Sequence, residues 1–121
     1  MIIAVDFDET VVYSKYPEIH SVRHGAAEAL RSLRAKGHYV ILWTCRCGER
    51  LTEAVNYMLA NGLEFDRIND NHPEMVAKYG SNSRKIYADV YIDDRNLGGF
   101  PGWQNVADMI EIGRASWRER V

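Results

Sequence analysis

Apolar and polar positions fall in blocks along this chain, and the blocks predict alternating strands and helices. The opening "IIAVDF" is short, apolar and β-branched, which suits a strand buried on both faces. "VVYSKYPEIHSV" mixes alternating polar and apolar positions with Pro17, and reads as a flap or hairpin rather than a central strand. From Arg23 to Lys36 the apolar positions Ala26, Ala27, Leu30 and Leu33 recur at helical spacing, and Gly37 supplies a left-handed stop. "HYVILW" is a second buried strand, ending at Thr44. Leu51, Ala54, Val55, Met58 and Leu59 then form one helical stripe closed by Gly62.

Downstream the pattern weakens. "EFDRI" is a faint third strand, and residues 69–84 are polar, punctuated by Pro73 and Gly80, with one helical turn expected around Glu74 to Lys78. "ADVYID" is another strand, "NLGGFPG" a turn-rich loop, and a last helix starts near Trp103. Such alternation predicts an α/β fold, a three-layer sandwich around a central parallel sheet of Rossmann-like type. In these sheets ligands bind beyond the carboxyl ends of the strands. The polar residues at three of those ends are Asp6 and Asp8, Thr44, and Asp93 and Asp94. Their chemistry converges only if the first strand lies between the other two.

Composition narrows the picture. A chain of 121 residues, 46% hydrophobic, is expected to form one domain with one core. A net charge of −2 gives no basic footprint, so no nucleic-acid partner is expected. Five residues precede Asp6 and no apolar run could span a bilayer, so a soluble, cytoplasmic protein is expected. Cys45 and Cys47, spaced i, i+2, make neither a disulfide framework nor a metal site, and read as small helix-start or core residues. His20, His24, His38 and His72 share no spacing and read as surface or capping residues.

"AVDFDETV" carries the chemistry. Asp6 and Asp8 lie roughly 7 Å apart on one side of an extended chain. With Asp93 and Asp94, up to four carboxylates face one crevice, and such crowding calls for a cation. Oxygen ligands without His or thiolate favour a hard ion, Mg²⁺ together with phosphate oxygens and water. Thr44 offers a hydroxyl to a phosphate oxygen and Lys85 a positive charge. Metal, carboxylate nucleophile, hydroxyl and lysine describe phosphoryl transfer through an acyl phosphate.

The ordered segments "DFDET", "VILWT" and "RKIYADVYIDD" resemble the four motifs of the haloacid dehalogenase (HAD) superfamily, mostly Mg²⁺-dependent phosphatases. "K-x-x-A-D-V-Y-I-D-D-R" is similar to its small, capless members. The resemblance runs from Met1 to about Ile110. It implies Asp6 as the nucleophile, Asp8 as general acid and then base, and Thr44 with Lys85 around the transferring phosphoryl group. Mg²⁺ would be held by Asp6, the Asp8 carbonyl and Asp93, with Asp94 adjacent or bridging through water, while Thr10 braces the loop. Glu9 stands where many members carry Gly. Only about 30 residues separate Asp8 from the second strand, and one helix fills most of them, so no cap domain fits. The site is therefore expected to be open to a small phosphoester, with "VYSKYPEI" as a flap and room for a neighbouring subunit of a homo-oligomer to complete it.

Arg46 and Arg95 each follow a motif, as substrate contacts or as carboxylate-paired or exposed arginines. Residues 111–121, "EIGRASWRERV", break the apolar helix pattern and resemble an adapter translated in frame, apart from Trp117; they read as a non-native tail after a domain spanning 1–110. A competing reading is a phospho-acceptor module like response-regulator receivers, which share the length, layers and acids. Receivers place the paired acids at the first strand and the accepting Asp at the third. Here the order differs, which favours the enzyme.

Overall fold

The computed structural model describes residues 1–120, with side chains through Ile112. Ten elements follow one another: β1 (Ile2–Val5), β2 (Val12–Lys15), β3 (Glu18–Val22), α1 (Ala26–Ala35), β4 (Tyr39–Leu42), α2 (Gly48–Ala60), β5 (Arg67–Ile68), α3 (Pro73–Tyr79), β6 (Val90–Ile92) and α4 (Trp103–Arg120). Four strands form a parallel sheet in the order β5-β4-β1-β6, while β2 and β3 pair as a separate antiparallel hairpin. The architecture is an α/β three-layer sandwich of Rossmann-like type, and β1 lies between β4 and β6 as the strand-end chemistry requires.

Alternate side chains of the sheet divide its faces. Ile3, Val5, Val40, Leu42 and Ile92 join Leu30 and Leu33 of α1, Ala54 and Met58 of α2, and Trp103, Val106 and Ile110 of α4 in one core. On the opposite face the Tyr91 hydroxyl accepts from the Ala88 amide and donates to the Ile86 carbonyl, and its ring packs on Trp43. That covering layer is thin, made of α3 and the irregular 81–88 segment, whose Ile86 and Ala88 are buried. Asn71 fastens it: buried, it donates to Asn82 and to the Ser83 carbonyl and accepts from the Tyr87 amide.

Several expectations are corrected by packing. The α2 stripe buries Ala54 and Met58, but Leu59 is 68% exposed because the helix turns that position away from the sheet. His38 is buried, with Nδ1 against the amino terminus, rather than at the surface. His72 does cap α3, accepting from the Glu74 amide. Cys45 and Cys47 are both exposed, Cys47 at the N-cap of α2, so neither belongs to the core. The tail 111–121 falls largely outside the described side chains; its backbone continues α4 to Arg120. Among the described residues, no helix is long and apolar enough to cross a membrane.

Register places the site. Val5 is level with both Leu42 and Ile92, so β1, β4 and β6 end together. The ladders run one residue further, from the Asp6 amide to the Ile92 carbonyl at 2.9 Å and from the Trp43 amide to the Val5 carbonyl at 2.8 Å. Asp6, Thr44, Asp93 and Asp94 therefore emerge along one edge.

Candidate functional site

After β1 the chain coils tightly, with the amides of Thr10, Val11 and Val12 all directed at the Phe7 carbonyl. Phe7 and Thr10 are wholly buried and anchor this loop, and the Trp103 indole donates to the Thr10 carbonyl at 2.8 Å. Glu9 pays for the turn with a left-handed backbone, φ 62°, which an L side chain seldom adopts. That geometry is the physical reason a glycine suits this position. Glu9 is held there by its own carboxylate, which accepts from the Ser14 amide at 2.7 Å, and by its carbonyl, which accepts from Arg23 at 3.0 Å.

One carboxylate oxygen from each of Asp6, Asp93 and Asp94 lies within 4.8 Å of the others. Among the described residues no cationic side chain pairs with them: burial first, then the charge of Asp93 and the neighbouring Asp94 carboxyl, push the Asp6 carboxyl up to about 8, opposed by the Thr10 hydroxyl. That hydroxyl donates to Asp6 Oδ2 at 3.3 Å. Asp94 is raised as well, chiefly by burial and then by Asp93. The Asp93 side chain also accepts from the Arg95 amide, which fixes the turn after β6. Three clustered oxygen donors lacking a basic neighbour are a donor set that fits a hard divalent ion.

Asp8 has the opposite surroundings. Arg46 grips it with both sides of its fork, Nε to Oδ2 at 2.8 Å and Nη2 to Oδ1 at 2.7 Å, and Ser14 Oγ donates to Oδ1 at 2.8 Å. Burial alone would raise the Asp8 carboxyl, but these donors outweigh it and hold it below the usual carboxylate range. The Arg46 side chain is 1% exposed. It also donates to the carbonyls of Pro17 and Arg50 and lies against the rings of Phe7 and Tyr16. Of the roles open to Arg46 in the sequence, substrate contact or carboxylate-paired arginine, the fold shows the carboxylate pair.

The remaining expected residues divide. Thr44 stands at the edge beside the acids, its hydroxyl accepting from the Arg46 amide at 3.1 Å and its O–H still available. Lys85 is exposed on the flank, its ammonium 6.0 Å from the Tyr91 ring centroid, and makes no ion pair with the acids among the described residues. The Arg95 guanidinium is exposed and likewise forms no ion pair there. Asn69 was not singled out by sequence, yet its side chain binds the Thr44 amide and carbonyl, both at 2.8 Å, and fixes that loop. Its left-handed φ of 47°, which Asn tolerates better than most residues, is the local signal.

One solved structure matches over nearly its full length. It is a conserved protein coded by a locus from Bacteroides thetaiotaomicron, 44% identical, covering 93% of this chain and 91% of that one with a TM-score of 0.84. The chain belongs to the same family as that Bacteroides protein. No protein-family model matches the chain, and no curated protein does.

Proposed function

We propose that the chain is a Mg²⁺-dependent phosphohydrolase of the haloacid dehalogenase type, acting on a small phosphomonoester through an aspartyl phosphate on Asp6. One observation carries the reading. Two carboxylates two residues apart occupy opposite environments, Asp6 clustered with Asp93 and Asp94 and Asp8 pinned by a buried arginine. Structural acids have no need of that division, whereas a nucleophile and a proton-transfer group do.

Asp6, Asp93 and Asp94, with the Asp8 carbonyl, would hold Mg²⁺, which when bound supplies positive charge to the acids and to the phosphoryl oxygens. In the first step an Asp6 oxygen attacks phosphorus and the bond to the leaving oxygen breaks, giving an aspartyl phosphate and an alcohol or alkoxide. A good leaving group departs as the anion; a poor one takes its proton from Asp8, which must first have acquired it. In the second step water attacks phosphorus, Asp8 accepts the water proton, and the bond to Asp6 breaks to release inorganic phosphate. The donors of Arg46 and Ser14 favour the carboxylate form of Asp8, which this second step uses. Thr44, steadied by Asn69, offers its O–H to a phosphoryl oxygen. Lys85 completes the charge only if a substrate draws the 81–88 segment toward the edge.

The receiver-like reading has less support, because β5 is followed by Asn69, whose side chain is spent on Thr44. A phosphate-release screen over phosphoesters, run with Mg²⁺ and with excess EDTA, tests the proposal. Metal-dependent release from at least one class is expected, and equal release in EDTA sinks it.

A further inference from the structure

The β2–β3 hairpin sets Val12 in the core and rests Ile19 and Val22 against it, and it is tied to the strand-end loop as well. Ser14 on β2 gives its hydroxyl to Asp8 and its amide to Glu9. At the hairpin turn the Pro17 carbonyl accepts from Arg46 Nη2 at 3.1 Å, the same nitrogen that binds Asp8 Oδ1. The exposed Tyr16 ring lies 5.0 Å from the Arg46 guanidinium carbon. Arg46 is thus a buried pin joining the loop after β1 to the hairpin turn, both distant from it in sequence, while its backbone amide donates to the neighbouring Thr44 hydroxyl.

From this geometry we infer that Arg46 is a positioning residue that couples the hairpin to the Asp8 carboxylate, so that flap and proton-transfer group move as one unit. The inference rests on the phosphohydrolase reading for its catalytic consequence but not for its mechanical one. A planar five-donor fork is what the arrangement needs: a lysine keeps the charge but cannot span both Asp8 oxygens and the Pro17 carbonyl. With Arg46 gone, Asp8 keeps only Ser14, and the hairpin turn loses its link to the site.

Two readouts on the full chain test this. The mechanical one is the rate of trypsin cleavage after Lys15, an exposed residue on the hairpin, under native conditions. The catalytic one is kcat and KM with p-nitrophenyl phosphate and Mg²⁺. In Arg46→Lys, cleavage at Lys15 is expected to rise about tenfold, as local opening becomes easier. Its kcat is expected to fall by ~10–100-fold with KM falling alongside it, because p-nitrophenolate leaves without help from Asp8 and the misplaced carboxylate slows only the second step. Ser14→Ala, which leaves the fork intact, should show a smaller change of the same kind in both. Arg46→Met would test the charge, and Arg46→Lys carries the test if that variant fails to fold. Unchanged cleavage in folded Arg46→Lys overturns the coupling, whatever happens to kcat. A rise in KM with kcat unchanged overturns the positioning role. If the unmutated protein turns nothing over, the phosphohydrolase reading fails, and the Lys15 cleavage rates still decide the coupling.

Discussion

Two carboxylates at one strand end, Asp6 and Asp8, show how differently one loop can treat the same chemical group. Asp6 is crowded by Asp93 and Asp94 and answered by one neutral hydroxyl, so it retains a proton up to about 8. Asp8 is fixed by an arginine fork and a serine, and stays ionised. Burial acts on both in the same direction, and it is the partner that reverses the outcome. A cluster of acids held without a counter-charge is stored electrostatic cost, which a divalent ion can offset. A carboxylate already paired has no such demand and can be reserved for moving protons.

The most damaging way to break the comparison is to remove the unpaired acid. Asp6→Asn is expected to lower p-nitrophenyl phosphate turnover by more than ~10⁴, the scale of losing a nucleophile. It should also weaken Mg²⁺-dependent thermal stabilisation. Retained turnover would show that Asp6 is not the attacking group. Removing the paired acid should cost less. Asp8→Asn keeps the nucleophile, so rapid mixing should show a burst of p-nitrophenolate and then a steady state slowed by ~10²–10⁴, with label trapped on Asp6. Steady turnover at the unmutated rate would exclude Asp8 from proton transfer.

A gentler test uses pH and metal. Asp6 has a folded value near 8 against about 3.8 unfolded, so between those values the folded chain binds more protons. Metal-free stability should therefore fall as pH rises from about 4 to 8. Mg²⁺ competes with that proton, so its binding should tighten and the melting-temperature gain should grow over the same interval. Calorimetry with and without Mg²⁺ across this range, repeated on Asp6→Asn, checks both slopes; a slope that survives in Asp6→Asn belongs to another group.

The smallest effect concerns the loop between the two acids. Glu9→Gly relieves the left-handed backbone but gives up the acceptor for the Ser14 amide, whereas Glu9→Ala gives up the acceptor and keeps the strain. Chemical denaturation should find Ala less stable than Gly by roughly 1 kcal/mol, the cost of that conformation for an L side chain. Equal stabilities would mean that the loop relaxes when the carboxylate is removed.

Most of the fold was legible from the chain, for a reason that differs by element. Strands β1 and β4 are unbroken apolar runs because both of their faces are covered, and α1 repeats Leu30 and Leu33 because one face meets the sheet. Each pattern records what that segment buries, so it can be read locally. The place of β1 between β4 and β6 followed from a chemical demand, since the acids and Thr44 serve one site only if β1 is central, whereas the place of β5 outside β4 did not. The 81–88 segment resisted reading because its path is held by amides of Tyr87 and Ala88 donating to the Asn71 and Tyr91 side chains, which leaves no periodicity.

For the site, sequence by itself determined which acids stand at strand ends, and register then brought Asp6, Asp93 and Asp94 together. Tertiary structure alone decided the partners. Asp8 and Arg46 are 38 residues apart, and no spacing rule connects a loop after one strand to the turn after another. The same holds for Asn69 on Thr44, and for Lys85, whose place before "ADVYIDD" says nothing of the side on which its ammonium lies. Local sequence encodes the burial of each segment; the charge state of a carboxylate is set by whatever the fold brings within hydrogen-bonding distance of it.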